Sequence, residues 1–237
     1  MSFPETVDEI IRQDLANVQA NPEGQLLPYE RDHIYKLLGN RVRGWLSVIS
    51  VKRVSNILEN QLHYPEALLD QLTLPSQALD IATQVLAGNI DVNDKIFRTA
   101  KNRLYHSSGN SWGNNNLPWS SYLVGIAVYV MLLDVEGFDF FRLLRCDSEN
   151  PGYYQSKKGK VRRVCLDQTL TDDDIPEPLV GTADPSSYAA KAYAFTRLHE
   201  TDLEIIPEYD NQKRREFWVW WLTEAIPLAW GQANKHR

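Results

Sequence analysis

The sequence predicts a mostly α-helical protein folded as a single domain, and three observations carry that expectation. Apolar residues return every three or four positions along most of the chain, which places them on one face of a helix and not alternately across a strand. The stretch from Tyr122 to Leu133 is apolar on nearly every side, and a helix of that kind belongs at the centre of a core. Near the C-terminus, Arg214 to Pro227 gathers three of the seven Trp. Read as a helix, it carries Phe217, Trp220, Trp221 and Leu228 on one face and Trp218, Leu222, Ala225 and Ala229 on the adjoining one, so it must be contacted on two sides. Large aromatics dominate core energetics, and this stretch is expected to be a core helix. At 237 residues the chain can bury such a core without staples. The expected architecture is an orthogonal or irregular bundle spanning 1–237, with residues 147–184 as a long Pro- and charge-rich surface insertion that has room for a small β-hairpin.

In chain order, Pro4 suits an opening helical turn, and Val7, Ile10, Ile11, Leu15 and Val18 follow at helical spacing until Asn21-Pro22-Glu23-Gly24. Ile34, Leu37 and Leu38 mark a second helix that pauses at Gly39-Asn40. A third, from about 41 to 61, carries Trp45, Leu46, Ile49, Val54, Ile57 and Leu58, with Gly44 as a weak point. Pro65 and Pro75 bracket a short piece; Pro75-Ser76 then opens a helix closed by Gly88-Asn89. Asp91 to Tyr105 places Ile96, Phe97, Ala100 and Leu104 inward and Lys95, Arg98, Lys101 and Arg103 outward. Residues 106–118 read as a Ser/Gly/Asn-rich loop, and Ser120 or Ser121 can cap the apolar helix after it. A short amphipathic piece covers Phe138 to Leu144. From 147 to 187 no helix is convincing, and Val161 to Leu166 suits one strand of a hairpin. Helical patterning returns from Ser186 or Ser187 through His199, and Asp210 or Asn211 caps the tryptophan helix.

Composition narrows the function. A formal net charge of −6 and a pI near 5.4 argue against nucleic-acid binding through bulk charge. The N-terminus lacks a signal-peptide pattern, and the apolar run is shorter than the roughly 20 residues of a bilayer span, so a cytoplasmic protein with no membrane partner is expected. Cys146 and Cys165 are able to close one bridge, yet nothing else suggests a disulfide framework, and free thiols are expected. Charge comes in blocks. Arg142, Arg145, Lys157, Lys158, Lys160, Arg162 and Arg163 outnumber Asp147 and Glu149, whereas residues 164–210 hold eleven acidic groups against Lys191 and Arg197. The acidic block, with Asp172, Asp173 and Asp174 at its centre, is either a solvated run or a docking surface for a basic partner. Nothing in the sequence fixes an oligomeric state.

No catalytic or cofactor constellation stands out. Gly109-Asn110-Ser111-Trp112-Gly113 fits G-x-S-x-G, but a nucleophile elbow needs a strand before the Ser and a helix directly after it, and here a helix precedes and an Asn-rich loop follows. The five His show no metal-ligand spacing, and no Gly-rich phosphate cradle is present. No metal, no cofactor and no enzymatic activity are expected. The basic cluster at 157–163, with Tyr153 and Tyr154 for stacking, is too sparse in aromatics to read as an RNA surface.

Three stretches in order carry a resemblance: Pro65 with Pro75-Ser-Gln-Ala-Leu-Asp-Ile-Ala-Thr-Gln-Val-Leu-Ala-Gly88, then Asp184 with Tyr188-Ala-Ala-Lys-Ala-Tyr-Ala-Phe195, and above all Arg214-Arg-Glu-Phe-Trp-Val-Trp-Trp-Leu-Thr-Glu-Ala-Ile-Pro227. Together they resemble the Imm5 group of immunity proteins of bacterial polymorphic toxin systems, over roughly residues 40 to 230 with gaps. Phe217, Trp218, Trp220, Trp221, Leu222 and Pro227 form its most specific string. The chain departs from the group in the segment before about residue 30 and in the insertion at 147–184. The resemblance implies a mostly helical, cytoplasmic bacterial protein that neutralises a cognate protein toxin by direct binding, without catalysis. Candidate partner-binding residues are Trp112, Trp119, Tyr153, Tyr154, Asp172, Asp173 and Asp174, since binding energy concentrates in a few anchors within a charged rim. Two other functions remain open from the residues: a helical interaction or scaffold protein unrelated to toxins, and a serine hydrolase using Ser111.

Overall fold

The computed structural model describes residues 3–59, 66–110, 119–142, 145, 153–157, 160–166, 168, 170–172, 183–200 and 205–235. They form a mostly α protein with two small antiparallel hairpins. Helix α1 spans Glu5–Ala20 and buries Val7 and Val18. The turn after it needs Gly24: its φ is 64°, and a Cβ there would lie 2.3 Å from the Asn211 carbonyl. No L side chain fits that approach. Helix α2, Pro28–Val54, starts with Pro at its first turn and bends at Gly39, where φ is 75°. The expected pause at Gly39 is therefore a kink between two helical halves. Gly44 does not interrupt the second half and lies against Leu86.

A single turn, α3 (Asn56–Glu59), precedes α4 (Glu66–Leu86), which runs through Pro75 where the sequence suggested a start. Leu74, Ala78, Leu79 and Ala82 are buried around that proline, and their packing outweighs the lost backbone donor. Helix α4 closes with Asn89 N–H donating to the Gln84 carbonyl at 2.9 Å and Gly88 N–H to that of Val85 at 3.0 Å. Helix α5 spans Lys95–Asn110, longer than expected at its C-terminal end, and leaves Ile96 55% exposed although the periodicity placed it inward.

Helix α6, Trp119–Val135, is the centre of the core. Leu123 through Leu132 are all buried, because α2, α4, α5 and α7 pack around it. No helix among the described residues is long and apolar enough to cross a membrane. Residues 136–142, where the short amphipathic piece begins, form turns.

The insertion supplies the first hairpin, β1 (Tyr153–Lys157) against β2 (Lys160–Val164), close to the expected strand. Arg145 anchors the entry to this segment, with ion pairs at 2.5 Å to Asp32 and 2.6 Å to Asp139. Cys165, directly after β2, is disulfide-bonded, and the sequence holds one other cysteine, Cys146. The expectation of two free thiols is corrected. Counting cysteines took no account of an antiparallel hairpin, which returns the chain toward its starting point.

Helix α7 (Pro185–Ala194) is capped by Asp184, and the chain then turns extended. Strand β3 (Phe195–Glu200) pairs with β4 (Ile205–Tyr209), a hairpin that the helical reading of 186–199 missed. Phe195-Thr196 and Ile205-Ile206 are β-branched and aromatic, the composition that favours strands.

Asp210 caps α8 (Asn211–Trp220), as expected, and a π-helical turn, Trp221–Ala225, joins it to α9 (Ile226–Lys235). Pro227 accounts for the wide turn: it has no N–H and its ring would crowd the carbonyl four residues back. Phe217, Trp218, Trp221 and Leu222 are fully buried and Trp220 partly so, whereas Pro227 and Leu228 are exposed. The tryptophan stretch is thus a core element, and its buried face continues through Ala225, Ile226, Ala229 and Ala233 while Leu228 points away from it.

Candidate functional site

Two acid pairs converge on the first turn of α2, where adjacent residues, Glu30 and Arg31, belong one to each. The inner pair is Asp172 and Asp184. Arg31 reaches both, with Nη2 2.6 Å from Asp172 Oδ1 and Nε 2.8 Å from Asp184 Oδ2, and also donates from Nη1 to the Leu26 carbonyl. Its guanidinium lies 4.9 Å from the Trp218 ring centroid. Desolvation opposes the charge on Arg31, but the two carboxylates outweigh it and hold its pKa above the ordinary value.

A hydroxyl network continues inward from Asp184. Tyr35 Oη donates to Asp184 Oδ1 at 3.0 Å; Ser186 and Ser50 lie 3.0 Å apart; and the Trp221 indole N–H lies 3.0 Å and 3.1 Å from their hydroxyls. Burial pushes the Tyr35 phenol well above its usual pKa. Ser, Tyr, Asp and Arg in contact resemble catalytic equipment, but all are buried. They spend their hydrogen bonds on one another and lock α2, α7 and the tryptophan helix together.

The outer pair is Asp14 and Glu30, both buried in the wall of an open groove. A groove of about 650 Å³ runs between α1 and α2. Asp14, Asn17, Gln25, Glu30, His33 and Gln168 supply its polar wall, with Ile10, Leu27 and Tyr29 among its apolar lining. Glu30 is well partnered: Oε1 accepts from Asn17 Nδ2 and Oε2 from the Leu27 N–H, each at 2.7 Å, the second closing the N-terminus of α2. Asp14 is 6% exposed, and its Oδ2 has no hydrogen-bond partner. Burial first, and the neighbouring Glu30 charge second, push its carboxyl up to about 7. No Lys or Arg is among the described residues of the lining. The groove therefore presents an acidic, partly apolar cleft with an uncompensated carboxyl at its base.

The residues expected to bind a partner are not brought together here. Asp172 is drawn inward to Arg31, and the exposed docking role expected of it is corrected: a carboxylate bonded to a buried guanidinium is unavailable to a partner. Three further acids of the block, all among the described residues, are likewise engaged. Asp184 and Asp210 cap helices, and Glu208 accepts from Arg197 Nε at 2.5 Å and pairs with His199 at 2.7 Å, which holds its pKa below the usual carboxylate value. Trp119 opens α6 and packs on Tyr122 with centroids 4.8 Å apart. Tyr153 and Tyr154 lie on β1. Trp112, Asp173, Asp174 and Ser111 fall outside the described residues. The element leading toward Ser111 is helix α5, where an elbow would require a strand. No cluster of three or more metal-ligating side chains occurs among the described residues.

Asp14 went unnoticed in the sequence although a signal was there. It sits within the apolar face made by Val7, Ile10, Ile11, Leu15 and Val18, and a lone acid inside such a stripe is either paired on folding or held for something else. No family model matches the chain, and no curated protein matches it significantly.

Proposed function

We propose that this chain is an immunity protein: it neutralises a cognate bacterial protein toxin by holding it, with no reaction of its own. The family resemblance of Phe217 to Pro227 motivates the toxin, and the observation that supports binding is the open acidic groove whose Asp14 carboxyl has no partner. A buried polar group without a partner destabilises the free protein, and a ligand that satisfies it converts that deficit into affinity. An interaction protein with no toxin partner would use the same groove, so the choice between the two rests on the genetic neighbourhood.

A bacterial cytoplasmic setting is the part of this reading that the Cys165 disulfide opposes, because reducing compartments break such bonds. Thiol labelling of freshly lysed cells distinguishes the two settings. The function itself is tested by expressing neighbouring open reading frames singly and together with this chain. A neighbour that kills alone and is tolerated when co-expressed, and that co-purifies with this protein, supports the proposal. Harmless neighbours, or killing that co-expression leaves unchanged, would overturn it.

A further inference from the structure

We infer that the groove between α1 and α2 receives one cationic group, the ammonium or guanidinium of a Lys or Arg side chain presented by a protein partner, with Asp14 and Glu30 as its two acceptors. The choice of a side chain as the source rests on the partner-binding reading above; the choice of a cation does not.

Three observations on the groove carry it. Asp14 is nearly enclosed and lines the cleft, with one carboxyl oxygen unpartnered. Glu30 stands beside it, oriented by Asn17 Nδ2 and the Leu27 N–H, so the second carboxylate is already in place. Two cations on the elements packed around the groove are committed elsewhere. Arg12 on the same helix donates to the Asp8 carbonyl, and Arg215 of α8 donates to the carbonyls of Val18 and Asn21. Lys213 and Glu216 of α8 and Glu224 of the π turn are exposed, and Arg214 stacks on Tyr209. His33 and Tyr29 are the other titratable groups on the groove wall. The inner pair shows what completes such an arrangement: there one guanidinium spans two carboxylates. Ile10, Leu27 and Tyr29 give the aliphatic stem of a long basic side chain an apolar wall to lie along.

The raised Asp14 pKa, set by burial first and the neighbouring Glu30 charge second, supplies the readout. Binding a cation favours the ionised carboxyl, so the Asp14 titration midpoint must fall on binding, and affinity must rise with pH through neutrality. The test is a carboxyl-carbon NMR titration of Asp14 in the full-length protein. The additions are N-acetyl-arginine amide, N-acetyl-lysine amide, the neutral N-acetyl-norleucine amide, sodium chloride at matched ionic strength, and 1,4-diaminobutane. The inference expects the arginine or lysine amide to lower the midpoint by about half a unit or more, a roughly threefold linkage, with norleucine amide and salt without effect. An equal shift in salt or with norleucine amide, or no shift with either basic amide, overturns it. A shift with the diamine alone overturns the side-chain source. The wild-type titration decides without a variant, and Asp14→Asn adds a check: the basic amides should no longer perturb the Asn17 and Gln168 side-chain amide signals. A positive titration in a protein that protects against no neighbouring gene product overturns only the toxin.

Discussion

The inner and outer acid pairs differ in one component. Asp172 and Asp184 share Arg31, and the result is a sealed joint in which every charge has a partner. Asp14 and Glu30 share no cation, and the result is an open cleft with a carboxyl pushed toward neutrality. Both sites hang on the same turn of α2, whose successive residues Glu30 and Arg31 serve one site each. Clustered acid becomes a structural joint where the fold supplies its own guanidinium, and stays uncompensated where it does not.

Breaking the inner pair should have the largest effect. Replacing Arg31 by Met leaves two buried carboxylates uncompensated, and a loss of about 3–5 kcal/mol in urea unfolding is expected. Asp172→Lys should likewise prevent stable folding, whereas an Asp172 acting as a surface docking residue would tolerate the change and only slow association. Next comes Trp221, which is fully buried and donates into the Ser50–Ser186 pair. Trp221→Ala should lose about 3–5 kcal/mol, and Trp220→Ala less than half of that. Trp220 is partly exposed, with the Arg53 guanidinium 4.1 Å from its ring centroid. Equal losses at the two positions would show that the helix is buried more evenly than this account holds. At the small end, Glu208→Gln on the exposed β3–β4 hairpin should leave the thermal midpoint unchanged, because its ion pairs with Arg197 and His199 lie in solvent.

The fold was legible wherever burial follows local periodicity. Helix α6 and the tryptophan helix could be read directly, since no solvent-facing role suits Leu123–Leu132 or Phe217–Leu222. The errors fall where a tertiary partner outweighs local preference. Pro75 sits inside α4 because its flanks are buried, and the chain after Ala194 leaves the helix because residues 205–209, ten positions on, offer a strand to pair with. The site was less legible still. A run of acidic residues looks the same in sequence whether it faces water or a guanidinium more than 140 positions away, as Asp172 does. Asp14 is the opposite case, one acid among Ile10, Ile11 and Leu15, inconspicuous until α2 brings Glu30 beside it and no cation.

The outer pair is left short of a cation, and the pH dependence of stability reports that deficit. An aspartate whose carboxyl is raised from 3.8 to about 7 holds its proton in the folded state over that interval. Stability then falls as pH rises from about 4 to 7 and levels off above it. Asp134 is raised to about 6, by burial that Arg43 and Ser47 only partly offset, and it adds a similar slope. That slope is common to wild type and variant, so their difference isolates Asp14. Denaturant unfolding of wild type and Asp14→Asn between pH 4 and 8 should give curves that meet near pH 4 and diverge as pH rises. Above pH 7 the variant should be the more stable by on the order of 2–4 kcal/mol. Parallel curves, or a variant that is less stable at pH 8, would mean that Asp14 already has its partner within the fold and would contradict the account.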